Sequence, residues 1–194
     1  MISISLSLKE EQLRLALDAL RRIPKGAEKA IARSVNRALE GARTDAIKTI
    51  CAEYAIKPSE VRKTFHIIRA SAGKLTGQII SAGGPIPLIK FNVKPKKPPN
   101  QKDVKIGRRR TVVAGVKFGN AVAMPHSFVA QMKSGHIGVF ARKSGSRTIK
   151  QHYSPAVPQM LGNKDVLKYI EEQAHERLDK ELRHQISYLF NGGR

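Results

Sequence analysis

Between Ala27 and about Tyr54 the apolar residues fall at Ala27, Ala30, Ile31, Val35, Ala38, Leu39, Ala42, Ala46, Ile47 and Ile50. Steps of three and four put all of them on one stripe of a helix. At 1.5 Å per residue such a helix is roughly 40 Å long, and the rest of the chain has to cover its stripe. The cover must be aliphatic, because hydrophobic residues make up 41% of the chain but aromatic residues only 5%, with no Trp. The alanines in the stripe let another backbone come close.

A second helical stripe occupies the last part of the chain, about 164–190, with Val166, Leu167, Ile170, Ala174, Leu178, Leu182, Ile186 and Leu189 on one face. Asn191-Gly192-Gly193 suits its end. A shorter helix is expected over Lys9–Arg22, with Glu10 and Glu11 in the first turn and Arg21 and Arg22 in the last, as the helix dipole favours. Pro24 and Gly26 stop it. Pro58-Ser59-Glu60 has the composition of another helix start.

The remainder reads as strands. Ile2, Ile4 and Leu6 alternate with serines. His66–Ser71, Leu75–Ala82 and Ile86–Val93 are rich in β-branched residues and are separated by Gly73 and by Gly83-Gly84-Pro85, the pattern of an antiparallel meander. Thr111–Val116 and Ile137–Phe140 look like further strands, with the apolar segment Met124–Met132 between them, and Pro155 and Pro158 bracket a turn or one helical turn. The expected fold is therefore α+β: an antiparallel sheet from the middle of the chain, packed by two long helices at about 27–54 and 164–190. With 194 residues it is expected to be a single domain over 1–194, with an inserted basic Pro/Lys loop at about 94–110.

Charge locates the interaction surface. Lys and Arg number 36 against 15 Asp and Glu, a net charge of +21, which attracts polyanions. The two ends are nearly balanced, and between Glu60 and Asp165 the only acid is Asp103. The excess lies in the middle, where Lys94, Lys96, Lys97, Lys102, Lys105, Arg108, Arg109 and Arg110 stand among Pro95, Pro98, Pro99 and Gly107. Such a segment cannot enter a sheet or a core. Its cations are candidates for sequence-blind contact with DNA phosphates. The competing reading is a solvated loop, or one that meets an acidic neighbouring subunit. Phe91 and Phe118 stand alone and are core candidates, so no stacking platform for single strands is evident.

Several chemistries are not provided for. Hydrolases and metal nucleases use paired carboxylates, and the basic region has one acid. His126, His136 and His152 lack the spacing of a metal motif, and His175 and His184 are nine residues apart on the last helix. Gly107 precedes three arginines without a P-loop. The single cysteine, Cys51, excludes an internal disulfide and a cysteine zinc cluster and reads as a small buried residue on a helix. No cofactor and no metal are expected. No stretch approaches the roughly 20 uncharged apolar residues of a membrane helix, and no signal pattern opens the chain, so a protein made in a cytosol, without a membrane partner, is expected.

Residues 124–161 carry a resemblance. Met124-Pro125-His126-Ser127-Phe128-Val129-Ala130-Gln131-Met132, the Gly135 turn, Ile137-Gly138-Val139-Phe140-Ala141-Arg142 and then Ser154-Pro155-Ala156-Val157-Pro158 precede a long terminal helix. This order resembles the prophage minor tail protein Z family of tailed bacteriophages. Ser34-Val35-Asn36-Arg37-Ala38 and Ile86-Pro87-Leu88-Ile89-Lys90-Phe91 resemble it in order and spacing as well, so the likeness covers most of the chain. It implies a structural, non-enzymatic tail completion or neck protein at the head-proximal end of the tail, needed for DNA delivery. Its implied partners are the tail terminator, the tail tube or tape measure end, and copies of itself in a ring, a hexamer by the symmetry of such tails. Double-stranded DNA would lie in the lumen. Its implied place is the virion, after assembly in the bacterial host cytoplasm. Two other readings fit the charge less specifically: a non-sequence-specific nucleic-acid-binding protein, which would lack any helix-turn-helix or zinc motif, and a phage nuclease, which the scarcity of acids in 61–164 opposes.

Overall fold

A computed structural model describes residues 1–19, 26–99, 111–142, 148–162 and 164–191. The opening alternation forms strand β1 (Ile2–Leu6), which buries Ile4 and Leu6, and α1 follows over Glu10–Ala19. The long stripe becomes α2 (Gly26–Glu53), with Ile31, Val35, Ala38 and Leu39 fully buried along it. Next come α3 (Pro58–Arg62), β2 (Phe65–Ile68) and β3 (Gly77–Ser81). The remaining elements are β4 (Ile86–Pro87), β5 (Asn92–Lys94), β6 (Val112–Gly115), β7 (Ala121–Met124), β8 (Ser127–Gln131), β9 (Ile137–Arg142), β10 (Ile149–Gln151) and β11 (Tyr153–Ser154). Helices α4 (Val157–Leu161) and α5 (Lys164–Phe190) close the chain.

The mixed α and antiparallel-β composition agrees with the expectation, including both long helices. The single meander sheet does not. The described strands are divided among four antiparallel sheets, ordered β1-β3-β2, β10-β9-β8, β11-β4 and β5-β6-β7. One cause is visible at Ile86–Val93, which was expected as one strand. Pro87 has no N–H for a ladder, and the chain turns at once into a 3-10 turn at Leu88–Lys90, closed by Phe91 N–H donating to the Leu88 carbonyl at 3.0 Å. The turn buries both Leu88 and Phe91, which are three residues apart and which a straight strand would therefore send to opposite faces.

The chain divides into two compact units. The first comprises 1–49, 62–83 and 158–194. In it the β1-β3-β2 sheet meets α2 at Gly77, where a Cβ would lie 2.5 Å from Leu39 Cδ1 and 3.3 Å from Val35 Cγ1. Helix α5 runs antiparallel to α2: Ile186 and Leu189 pack on Ala27 and Ala30, Arg37 Nη1 reaches Glu181 at 3.1 Å, and Arg177 Nη2 reaches Asp45 at 2.8 Å. A side-chain amide replaces a ladder at one point. Asn36 Nδ2 donates to the Ala70 carbonyl at 2.9 Å, and Ala70 N–H donates to Asn36 Oδ1 at 2.8 Å.

The second unit comprises 50–61 and 84–157. Its core gathers Leu88, Val93, Val112, Ala114, Val129 and Val139, with Ile89, Val116, Met124 and Ile137 around them. The Phe-containing segment and the strand ending in Arg142 form a hairpin, β8 on β9, in which Phe128 opposes Phe140 and the rings are 6.3 Å apart. Gly135 makes its turn with φ +81°, a conformation that glycine adopts without a steric penalty.

Candidate nucleic-acid interface

The basic segment begins at the end of β5. Along Asn92–Lys94 only Val93 is buried, because alternate residues of a strand face opposite sides. With Val93 fixed in the core, Lys94 must point outward. Lys94 is opposite Val113 in the antiparallel pairing of β5 and β6, so the segment is held at both ends by one ladder and begins and ends at the same edge of the second unit. Lys96 and Lys97 are exposed beyond it. The expected Lys102, Lys105, Arg108, Arg109 and Arg110 lie outside the described residues, as does Asp103.

Ion pairing separates the cations of this unit into two kinds. Its described carboxylates are Glu53 and Glu60. Lys117 Nζ is 2.5 Å from Glu53 and sits 5.3 Å over the Tyr54 ring, and Lys90 Nζ is 3.6 Å from Glu60. The hydrogen bond to Glu53, then the proximity of Tyr54, raises the Lys117 pKa above its ordinary value. Lys94, Lys96 and Lys97 form no ion pair among the described residues. Their charge is left to the surroundings.

His152 and His136 find polar neighbours rather than one another. His152 Nε2 lies 3.2 Å from Ser127 Oγ, and His136 Nε2 lies 2.8 Å from Gln151 Nε2. His126 occupies a tight turn with φ +67°. The Ser127–His152 pair was not legible in sequence, since 25 positions separate the two and only the β8-β9-β10 ladder brings them together. No acidic residue bonds His152 among the described residues. No group of three or more His, Cys, Asp or Glu there is placed to hold a metal ion. Burial pushes the Cys51 thiol above its ordinary pKa, the opposite of what activates a nucleophile. No described helix is long and apolar enough to cross a membrane.

Among the described residues, Lys94, Lys96 and Lys97 are thus surface cations without ion pairs, and no group of acids, histidines or cysteine is placed to hold a metal ion. The chain belongs to the family of prophage minor tail protein Z (GPZ), whose model matches residues 11–191. It is accordingly a structural protein of a bacteriophage tail. No curated protein and no solved structure matches it.

Proposed function

We propose that this tail protein completes the head-proximal end of the tail as a closed six-fold ring, and that segment 94–110 faces the DNA passing through the lumen. In this reading the whole chain serves as one module of the Z type without turnover of its own. Its neighbours are the tail terminator and the tube or tape measure end, and it is assembled in the host cytoplasm. Identical head-to-tail contacts close naturally into rings. The observation that carries the reading is the cluster Lys94, Lys96 and Lys97, exposed and without acidic partners among the described residues, where Lys90 and Lys117 have them. Phosphate contact requires unpaired cations and no base-specific geometry.

The test uses phage particles whose only copy of the protein has Glu in place of Lys94, Lys96, Lys97, Lys102, Lys105, Arg108, Arg109 and Arg110. Incorporation is measured by mass spectrometry, and DNA retention and ejection are measured on the purified particles. Normal incorporation with impaired retention or ejection is expected. Failure to join the tail would assign the segment to an acidic protein neighbour instead, and normal incorporation with normal ejection would leave it as solvated charge. An imaged tail with a single isolated copy would overturn the ring.

A further inference from the structure

We propose that the cleft between α2 and α5 in the first unit is an oxyanion site that takes a phosphate group. It has a volume of about 330 Å³ and is lined by Arg33, Arg37, His184, Gln185 and Tyr188. Arg33 and Arg37 are one turn apart on α2, and His184 and Tyr188 one turn apart on α5, so each wall presents a column of polar groups. Gln185 lies between those columns. It occupies the buried register of α5 that Ile170, Ala174, Leu178 and Leu182 fill with apolar side chains, and it is only 5% exposed. Its amide has no hydrogen-bond partner among the described residues. Nor is that amide sealed, for Ser81 Oγ is the only described side-chain polar atom that is both occluded and unpartnered. An aliphatic residue would serve packing better at this position, since buried polar groups are normally satisfied. The amide is open to the cleft and accounts for itself if a ligand enters.

Charge and geometry define that ligand. Arg33 has no acidic partner among the described residues. Arg37 shares Glu181 at 3.1 Å with over half of its side chain exposed, so the cleft keeps a positive surplus. Guanidinium groups present paired donors that match phosphate oxygens. A tetrahedral anion can accept from both walls and the floor at once, where a planar carboxylate offers fewer directions. The site lies in the other compact unit from the basic segment and does not rest on the reading of that segment. The phosphate has two sources, a free ion or a nucleic-acid backbone.

The test titrates inorganic phosphate into the full chain at low ionic strength, followed by amide NMR shifts. Saturable binding at one site is expected, with shifts at Arg33, Arg37, His184 and Gln185. Arg33→Gln and Gln185→Leu should each weaken it by about tenfold, the loss of one charge-assisted or buried hydrogen bond. Gln185→Leu should unfold no earlier than the parent chain, so lost binding cannot be ascribed to lost folding. A second arm measures a short random-sequence DNA duplex. Weaker duplex binding by Arg33→Gln identifies a backbone phosphate, and unchanged duplex binding with lost phosphate binding identifies the free ion. Unsaturable phosphate shifts, or binding unaltered by both variants, would overturn the site.

Discussion

The Arg177 side chain lies across Gly41: a Cβ built on that glycine would meet Arg177 Nη1 at 2.2 Å and Cδ at 2.4 Å. Beyond the glycine the guanidinium reaches Asp45 Oδ2, 2.8 Å away and one turn further along α2. A glycine inside a helix is unfavourable by about 1 kcal/mol relative to alanine. Here it opens the path by which α5 is tied to α2.

Two terms of similar size therefore oppose each other in Gly41→Ala. Helix propensity gains about 1 kcal/mol, while displacing Arg177 loses a partly exposed ion pair worth about 0–1 kcal/mol and disturbs its packing. The single variant is expected to be neutral or slightly destabilised. In an Arg177→Ala background the same change should stabilise by about 0.5–1 kcal/mol. Urea unfolding of the four proteins in this cycle reads the coupling, and additivity would show that the two residues are independent.

Asn36 gives a sharper loss. Its amide satisfies both the N–H and the carbonyl of Ala70, a buried residue. Asn36→Ala strands both groups and should cost about 1–3 kcal/mol. Asn36→Asp keeps the acceptor but sets a carboxylate against the Ala70 carbonyl, so it should be no better than Ala. The denaturation midpoints of the two variants check this, and a stable Asp variant would mean that the segment at Ala70 rearranges freely.

For Cys51 the sign follows from burial. A pKa raised in the folded state leaves less thiolate at any fixed pH than the unfolded chain has. At pH 8 alkylation should run slower on the folded protein than in denaturant, after correction with a free thiol in each solvent. Mass spectrometry over time measures it, and equal corrected rates would remove the proposed effect of burial.

Sequence periodicity revealed the helices more fully than the strands, for a physical reason. Helix α2 repeats its apolar spacing over 28 residues, whereas the strands have two to six and give little alternation to read. Strand β7 (Ala121–Met124) has none, since Ala121, Val122 and Ala123 are all exposed. The outward lysines were legible because prolines exclude their segment from any core. The α2–α5 cleft was not, because it depends on the antiparallel pairing of residues far apart in sequence. Sequence periodicity gives the final stripe Ile186 and leaves Gln185 to solvent, as a polar residue beside an apolar one is ordinarily assigned.

The exposed lysines allow folding and binding to be tested apart. Lys94, Lys96 and Lys97 project from the end of β5 and the chain beyond it, without ion-pair partners among the described residues. Replacing all three by Gln should change stability by no more than about 0.5 kcal/mol per site, the usual range for surface positions free of special contacts. Lys117→Gln provides the contrast, because it releases the Glu53 carboxylate and loses contact with Tyr54. Each phosphate contact contributes about 0.9 to the slope of log affinity against log salt on duplex DNA. If all three lysines contact phosphates, the triple variant should bind duplex with a slope shallower by about 2.7, equally for unrelated sequences. Lys117→Gln should leave that slope nearly unchanged, since its ammonium already has a carboxylate. Fluorescence anisotropy at several salt concentrations measures both slopes. A triple variant with the parental slope would show that these lysines do not touch DNA, and a loss confined to one sequence would contradict phosphate contact as the mode of binding.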